Sequence, residues 1–90
     1  MNMIIIENPD SETLNKQGVF SWPIWEKEIS AFDWTYDSDE ECYIIEGKVI
    51  ITTPKGTYEI SGGDFVTFKR GLKCHWNIVR SIKKHYNFPE

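Results

Sequence analysis

Ninety residues, of which 40% are hydrophobic and 27% charged, suit one small globular domain with a single core and are too few for two such domains. The formal net charge of -4 argues against a nucleic-acid or anionic-membrane partner, because both require clustered lysine and arginine to neutralise phosphates. We therefore expect a single domain over residues 1–90, in which the aromatic residues supply much of the buried area.

The N-terminal residues predict a location and a short helical segment. Residues 1–6 are apolar over only a few positions and run directly into an acidic residue, so they match neither a signal peptide nor a membrane span. We expect a cytoplasmic protein. Residues 9–14 offer a helix N-cap and one helical turn, which Gly18 would close.

From residue 28 onward the sequence predicts β-strands. Short segments rich in β-branched and aromatic residues alternate with turn signals, and no helical periodicity of useful length occurs among them. Spacing this regular favours an all-β sandwich or barrel. An SH3-like or OB barrel would use similar strands, but an OB fold would normally bring a basic binding face, which the charge balance lacks. The predicted strands cover residues 30–36, 41–45, 48–53, 57–60, 65–68, 73–79 and 83–88.

Two spaced motifs resemble those of cupins. The first cupin motif runs Gly, His-x-His, three or four residues, Glu, six residues and Gly, and its end matches Glu40, six residues and Gly47. The second runs Gly, five residues, Pro-x-Gly, two residues and His. It matches Gly63, five residues, residues 69–71 with Lys at the Pro position, two residues and Cys74.

In this register the metal-binding histidines are replaced. The two histidine positions of the first motif fall on Trp34 and Tyr36, and that of the second falls on Cys74. Of the four metal ligands that the resemblance implies, only the carboxylate of Glu40 remains. We therefore expect no metal and no other cofactor. The alternative is a divalent ion such as zinc held by Glu40 and Cys74, because carboxylate and thiolate suit a borderline metal.

More narrowly, the chain resembles the small single-domain cupins of the cupin-3 family, which are related to the ethanolamine-utilisation cupins and to ureidoglycine aminohydrolase. The resemblance implies a cupin barrel, that is a double-stranded β-helix or jelly roll, over about residues 22–88, behind a short helical or irregular N-terminal segment. It implies a scaffold and not a reaction. The phrases that carry it are residues 22–25, 32–34, 41–49, 63–68 and 84–86.

Side-chain alternation converts this resemblance into an expected pocket. Residues two apart in a strand share a face, so the cupin-like positions would all point into the barrel mouth. An apolar, aromatic wall with a few convergent polar groups is typical of a small-molecule site. By the same alternation, Tyr43 and His75 would face away. The residues expected to line the pocket are Trp34, Tyr36, Glu40, Cys42, Cys74 and Trp76.

These residues also have plainer interpretations. Glu40 lies in an acidic run and could be a solvated loop residue, and Glu41 would replace it if the register slips by one. Cys42 and Cys74 could be ordinary buried thiols, and a disulfide between them is disfavoured by the expected compartment. The aromatic residues could be core filler. The basic segment 83–86 could supply a cation to an anionic ligand or be a terminal strand with solvated lysines.

Three functions stay open. The protein could bind a small polar or anionic metabolite, such as a sugar or amino-acid derivative, without chemistry. It could be an enzyme in which Glu40 is the catalytic acid or base, alone or with Cys74 and a divalent metal, acting on a small amide, ureide or sugar as the resemblance allows. It could be a structural or interaction module. Residues 22–25 would close the core or form a dimer face, and we expect a homodimer because pairing protects an open sheet edge.

Overall fold

The computed structural model describes residues 3–89, which are mainly antiparallel β-strands. In the described residues the strands are β1 (Ile4–Glu7), β2 (Ile24–Lys27), β3 (Ser30–Thr35), β4 (Glu40–Thr53), β5 (Gly56–Ser61), β6 (Phe65–Phe68) and β7 (Lys73–Asn87). They form one sheet in the order β1-β6-β4-β7-β2, to which β3 is added on β7 and β5 on β4.

The sheet folds on itself into two layers because the long strands β4 and β7 change partners along their length. Residues 40–43 of β4 pair with β6, whereas residues 48–53 pair with β5. Residues 82–85 of β7 pair with β2, whereas residues 73–78 pair with β3. One layer therefore has the order β1-β6-β4-β7-β2 and the other β5-β4-β7-β3. This arrangement confirms the expected all-β jelly roll.

The bend that divides β4 is centred on Gly47. The pairing of β4 with β7 shifts register between Ile44 and Val49, as at a β-bulge. Gly47 has a φ of 102°, and a Cβ atom there would overlap the carbonyl oxygen of Ser81 on β7. Only glycine has both the required conformation and the required space, so this residue allows the two layers to close.

The main core lies between the two layers. Cys42, Ile44 and Val66 contribute from one layer and Ile51 and Ile60 from the other, and all five belong to one buried cluster. Each of these side chains is at most 1% exposed. Fully burying one large aliphatic side chain stabilises a fold by about 1.5–3 kcal/mol, so this shared cluster holds the layers together.

A short helix, α1 (Ser11–Lys16), and a 3-10 turn (Val19–Ser21) cover the outer face of the first layer. The Asp10 side chain caps α1 by accepting a hydrogen bond from the Thr13 amide at 2.8 Å. Buried Leu14 and Val19 pack on Phe65, with Tyr43 at the edge of the same cluster. Within residues 3–89 no helix is long and apolar enough to cross a membrane.

The strand boundaries differ from the sequence prediction in two respects. Predicted strands 41–45 and 48–53 are one strand, β4, and predicted strands 73–79 and 83–88 merge into β7, which ends at Asn87. A bulge bends a strand without ending its pairing, so the turn signal at residues 46–47 was misleading. Strands β1 and β2 were not predicted, because each has four residues and lies at a sheet edge without a long alternating pattern.

Candidate functional site

A cavity of about 690 Å³ opens among β2, β3 and the ends of β4 and β7. Of its 13 lining residues seven are aromatic, so its wall is mainly apolar. Trp34 and Phe88 are 51% and 53% exposed, which places them at a rim open to solvent. The lining residues are Trp25, Lys27, Ser30, Ala31, Phe32, Asp33, Trp34, Tyr36, Glu40, Trp76, Lys84, Tyr86 and Phe88.

The aromatic wall is ordered by ring contacts. Phe32 stacks on Trp76 with centroids 5.8 Å apart and an interplanar angle of 14°. Trp25 meets the same indole edge-on at 6.1 Å, and Trp34 meets Tyr36 edge-on at 6.4 Å. Aromatic pairs in these geometries contribute about 0.5–1.5 kcal/mol beyond area burial, so the rings are held in place without a ligand.

A buried ion pair forms the polar floor of the cavity. The Lys84 Nζ atom lies 2.9 Å from Glu40 Oε2, and the side chains are 7% and 10% exposed. Cys42 completes the group, since its Sγ donates to Glu40 Oε2 at 2.9 Å and accepts from Lys84 Nζ at 3.2 Å. The ammonium also lies over the rings of Trp25 and Trp76, at 4.9 and 5.0 Å from their centroids. Such cation–π contacts add to the stabilisation of a desolvated cation.

Strand register explains why this cation lies inside. Lys84 is opposite Trp25 on β2 and opposite Ile44 on β4. Directly opposed residues in an antiparallel pair share a face, and Ile44 shares its face with Cys42 and Glu40 by alternation. The lysine therefore extends along the inner face toward the start of β4, where the carboxylate neutralises it.

The environment fixes the protonation states of the floor. Burial opposes charging of Lys84, but the neighbouring Cys42 and Glu40 outweigh it, and the pKa of Lys84 is raised. Burial raises the pKa of the Cys42 thiol to about 12, so the sulfur is neutral at pH 7. Burial likewise raises the pKa of Tyr36, which keeps its phenol protonated.

Two polar atoms of residues that line the cavity lack protein partners in the described chain. The Nε1 atom of Trp76 is buried and has no hydrogen-bond partner within residues 3–89. It lies near the Tyr36 hydroxyl and the Cys74 sulfur, but without the geometry of a hydrogen bond to either. Both hydrogen bonds of the Glu40 carboxylate go to Oε2, so in the described chain Oε1 has no donor. The carboxylate acceptor is thus free to meet a ligand, whereas the indole donor is enclosed by protein atoms.

Four of the six predicted lining residues line the cavity, and the two cysteines do not. Trp34, Tyr36, Glu40 and Trp76 are on the wall, with Glu40 only 7% exposed, so it is not a solvated loop residue. Cys42 lies under Glu40 and Lys84, which cover it.

Cys74 does not line the cavity, although it shares a face with Trp34, its direct partner in the strand register. Its side chain is buried in the main core, and its Sγ contacts the Trp34 carbonyl oxygen at 3.7 Å. Burial raises the pKa of this thiol, and both cysteines are free. His75 faces outward and bonds Asp33 at 2.8 Å, so it does not serve Cys74 as a base.

The donor set does not fit the metal that the cupin resemblance implies. Within residues 3–89 no group of three or more His, Cys, Asp or Glu side chains is placed to hold a metal ion. The Lys84 ammonium occupies the inner side of the Glu40 carboxylate, where it already supplies the positive charge. Both histidines are engaged elsewhere, since His75 bonds Asp33 and His85 Nδ1 bonds the Trp22 carbonyl at 2.9 Å.

Sequence reasoning missed part of the site. The sequence does not decide whether Lys84 is solvated or internal, and the structure shows that it is buried. The alternation Ile82, Lys84, Tyr86 was the signal, because it places the lysine on the same face as a core isoleucine. Phe32 could have been found from its two-residue spacing to Trp34. Trp25 was expected to close the core or form a dimer face and not to line the cavity, since its strand was not predicted.

Comparison with known proteins identifies relatives of this fold. The profile of the EutQ-like cupin domain, Cupin_3, matches residues 14–86. A DUF861 family protein from Thermotoga maritima, known from its crystal structure, has 52% sequence identity to this chain and a TM-score of 0.92. The match covers 96% of this chain and 99% of that protein. A search of the curated proteins returns no match.

Two EutQ proteins are more distant. The Clostridium difficile EutQ protein is 25% identical with a TM-score of 0.66, and the match covers 73% of this chain and 53% of that one. A putative ethanolamine utilization protein Q from Salmonella typhimurium is 21% identical with a TM-score of 0.64, over 70% of this chain and 51% of that one. The matched region thus spans about half the length of each EutQ protein.

Proposed function

This chain belongs to the EutQ-like cupin domain family, and on that premise we propose that it binds a small, ring-bearing polar molecule in the aromatic cavity above the Glu40–Lys84 pair. The family supplies a small-molecule-binding fold and no particular reaction. The observation that carries the proposal is the Glu40 carboxylate, which lines a mainly aromatic cavity and whose Oε1 atom receives no hydrogen bond from the described chain.

The energetics of the cavity support a ligand. A ligand that covers the aromatic wall would remove apolar surface from water, which is favourable by roughly 25 cal/mol per Å². The rings of Phe32 and Trp34 offer apolar faces on which a sugar or aromatic ring can be buried. Glu40 Oε1 would fix the orientation of the ligand by accepting one of its hydrogen bonds. This combination of apolar walls and few polar groups is usual in small-molecule sites.

Acid–base catalysis by Glu40 is the second candidate, because Oε1 is free of protein donors. Simple binding is favoured over it. The other carboxylate oxygen is held by an ammonium whose pKa is raised, so Lys84 is a poor proton donor at neutral pH. If Glu40 is a base, the wild type will exchange an acidic C–H of a bound ligand with solvent deuterium, and Glu40→Gln will not.

The binding proposal is tested by titration calorimetry with two neutral ring probes, benzamide and methyl β-D-glucopyranoside. Phe88→Ala and Phe20→Ala are matched variants, because the two side chains are 53% and 49% exposed and only Phe88 lines the cavity. We expect Phe88→Ala to weaken binding by roughly tenfold, as loss of one aromatic contact predicts, and Phe20→Ala to leave it unchanged. Equal effects of the two changes, or no heat with either probe, would contradict the proposal.

We also propose that the protein acts in the cytoplasm as a homodimer. In the described chain β2 pairs only with β7, which leaves one edge of β2 open. Ile24 on this strand is 50% exposed, and a second copy paired along the edge would cover it. Light scattering after size exclusion should give twice the monomer mass for the wild type and the monomer mass for Ile24→Lys. A monomeric wild type would exclude the dimer.

A further inference from the structure

We infer that the cavity selects an uncharged ligand, because the fixed charges around it cancel. The inference rests on the proposed binding function and adds the charge class of the ligand. It differs from the anionic metabolite that the sequence also allowed. The cancellation arises at two levels, the buried floor and the exposed rim.

The two opposite charges of the floor neutralise each other by direct contact. Lys84 Nζ and Glu40 Oε2 are 2.9 Å apart, and the third member of the group, Cys42, is a neutral thiol. The rim carries one cation and one anion as well, Lys27 and Asp33, and Asp33 also bonds the outward-facing His75 at 2.8 Å. No other Lys, Arg, His, Asp or Glu side chain lines this cavity in the described chain.

A charged ligand would therefore gain little and lose much. The carboxylate of an anion that approached Lys84 would also meet Glu40, and a cation that approached Glu40 would meet Lys84. Both would leave water for a wall that is mainly aromatic. A charge transferred to such a wall without its own partner is strongly disfavoured. A neutral group that donates a hydrogen bond to Glu40 Oε1 can bind without this penalty.

Because the two floor charges cancel, replacing either one should change which ligand charge the cavity prefers. Glu40→Gln leaves the Lys84 ammonium without its anion, so the floor becomes positive and should favour an anionic ligand. Lys84→Met leaves the carboxylate beside the Trp25 and Trp76 rings. In the wild type the centroids of these rings lie 4.9 and 5.0 Å from the ammonium. A carboxylate next to two vacant indole faces should favour a cationic ligand.

The test uses three probes of nearly equal shape at pH 7, namely benzamide, benzoate and benzamidinium, each titrated calorimetrically into the full-length wild-type protein. We expect benzamide to bind at least roughly tenfold more tightly than either ion, since an uncompensated charge costs at least one factor of ten in Kd. Tightest binding of benzoate or of benzamidinium would overturn the inference and leave the binding function standing. Binding of none of the three, nor of the glucoside, would overturn both.

Variants give an independent outcome. Glu40→Gln should move the preference to benzoate and Lys84→Met to benzamidinium. The double variant Glu40→Gln/Lys84→Met has a neutral floor and should again bind benzamide most tightly. If a single variant does not fold, the wild type and the double variant still decide the question, because both must prefer the neutral probe. If the wild type and the double variant both bind the same charged probe most tightly, the inference is overturned.

Discussion

Lys84 Nζ lies 2.9 Å from Glu40 Oε2 at the floor of the aromatic cavity, with both side chains at most 10% exposed. In the cupin motif register, Glu40 is the one position that keeps the metal ligand expected of the fold. Its partner here is an ammonium from the last strand. The protein thus satisfies the buried carboxylate with its own cation, and the cavity becomes a neutral, aromatic chamber.

Breaking the ion pair should destabilise the fold. Lys84→Met leaves the buried Glu40 carboxylate without its cation, and removing one partner of such a pair costs about 3–5 kcal/mol. The double variant Glu40→Gln/Lys84→Met leaves no buried charge and should recover most of that loss. Urea unfolding monitored by tryptophan fluorescence measures both values.

The control for this prediction is an ion pair at the surface. Lys48 and Glu59 are 2.7 Å apart with side chains 31% and 60% exposed, so Lys48→Met should cost less than about 1 kcal/mol. If Lys84→Met is no more damaging than Lys48→Met, the Glu40–Lys84 pair does not stabilise the protein.

Stability should fall as the pH rises above 9. The pKa of Cys42 is raised by burial from its ordinary 9.0 to about 12, so the folded protein keeps a proton that the unfolded chain has lost. The folded state then binds more protons than the unfolded state, and the free energy of unfolding decreases by up to about 1.4 kcal/mol per pH unit for each such group. The raised pKa values of Tyr36 and Lys84 act in the same direction, from about pH 10 and pH 10.5 upward.

The alkaline effect can be assigned with Cys42→Ala. We expect this variant to lose stability less steeply than the wild type between pH 9 and pH 10 in urea titrations under reducing conditions. Below pH 9 the two proteins should show the same pH dependence. An unchanged wild-type stability from pH 7 to pH 10 would mean that the floor is not desolvated as described.

Gly47 should tolerate no side chain. A Cβ atom there would overlap the Ser81 carbonyl oxygen on β7, so Gly47→Ala must separate the two long strands at their bend. Gly63→Ala is the matched control, because Gly63 has a similar φ of 95° but open space around it. We expect about 1–2 kcal/mol of destabilisation for Gly63→Ala from backbone strain alone, and a larger loss or failure to fold for Gly47→Ala. Equal losses in urea unfolding would show that the strands are not in contact there.

The sequence predicted the fold better than the site. Motif spacing and two-residue alternation predicted an inward position for Tyr36, Glu40 and Trp76, all three of which line the cavity, because strand periodicity and cupin register act together at these positions. Cys42 shares a face with Glu40 but is covered by Lys84, and such coverage depends on a strand far away in the sequence. No local pattern reveals it.

The most direct test of the account is the indole N–H spectrum of the protein during titration with benzamide. Trp76 lines the cavity, so a ligand ring packed on the wall should change the field at its indole proton, whereas Trp22 packs in the separate cluster under the N-terminal helix. We predict a saturable shift of the Trp76 indole proton with the Trp22 proton unchanged. A Trp76 resonance that stays fixed while benzamide binds, as judged by calorimetry, would contradict the claim that the cavity is the ligand site.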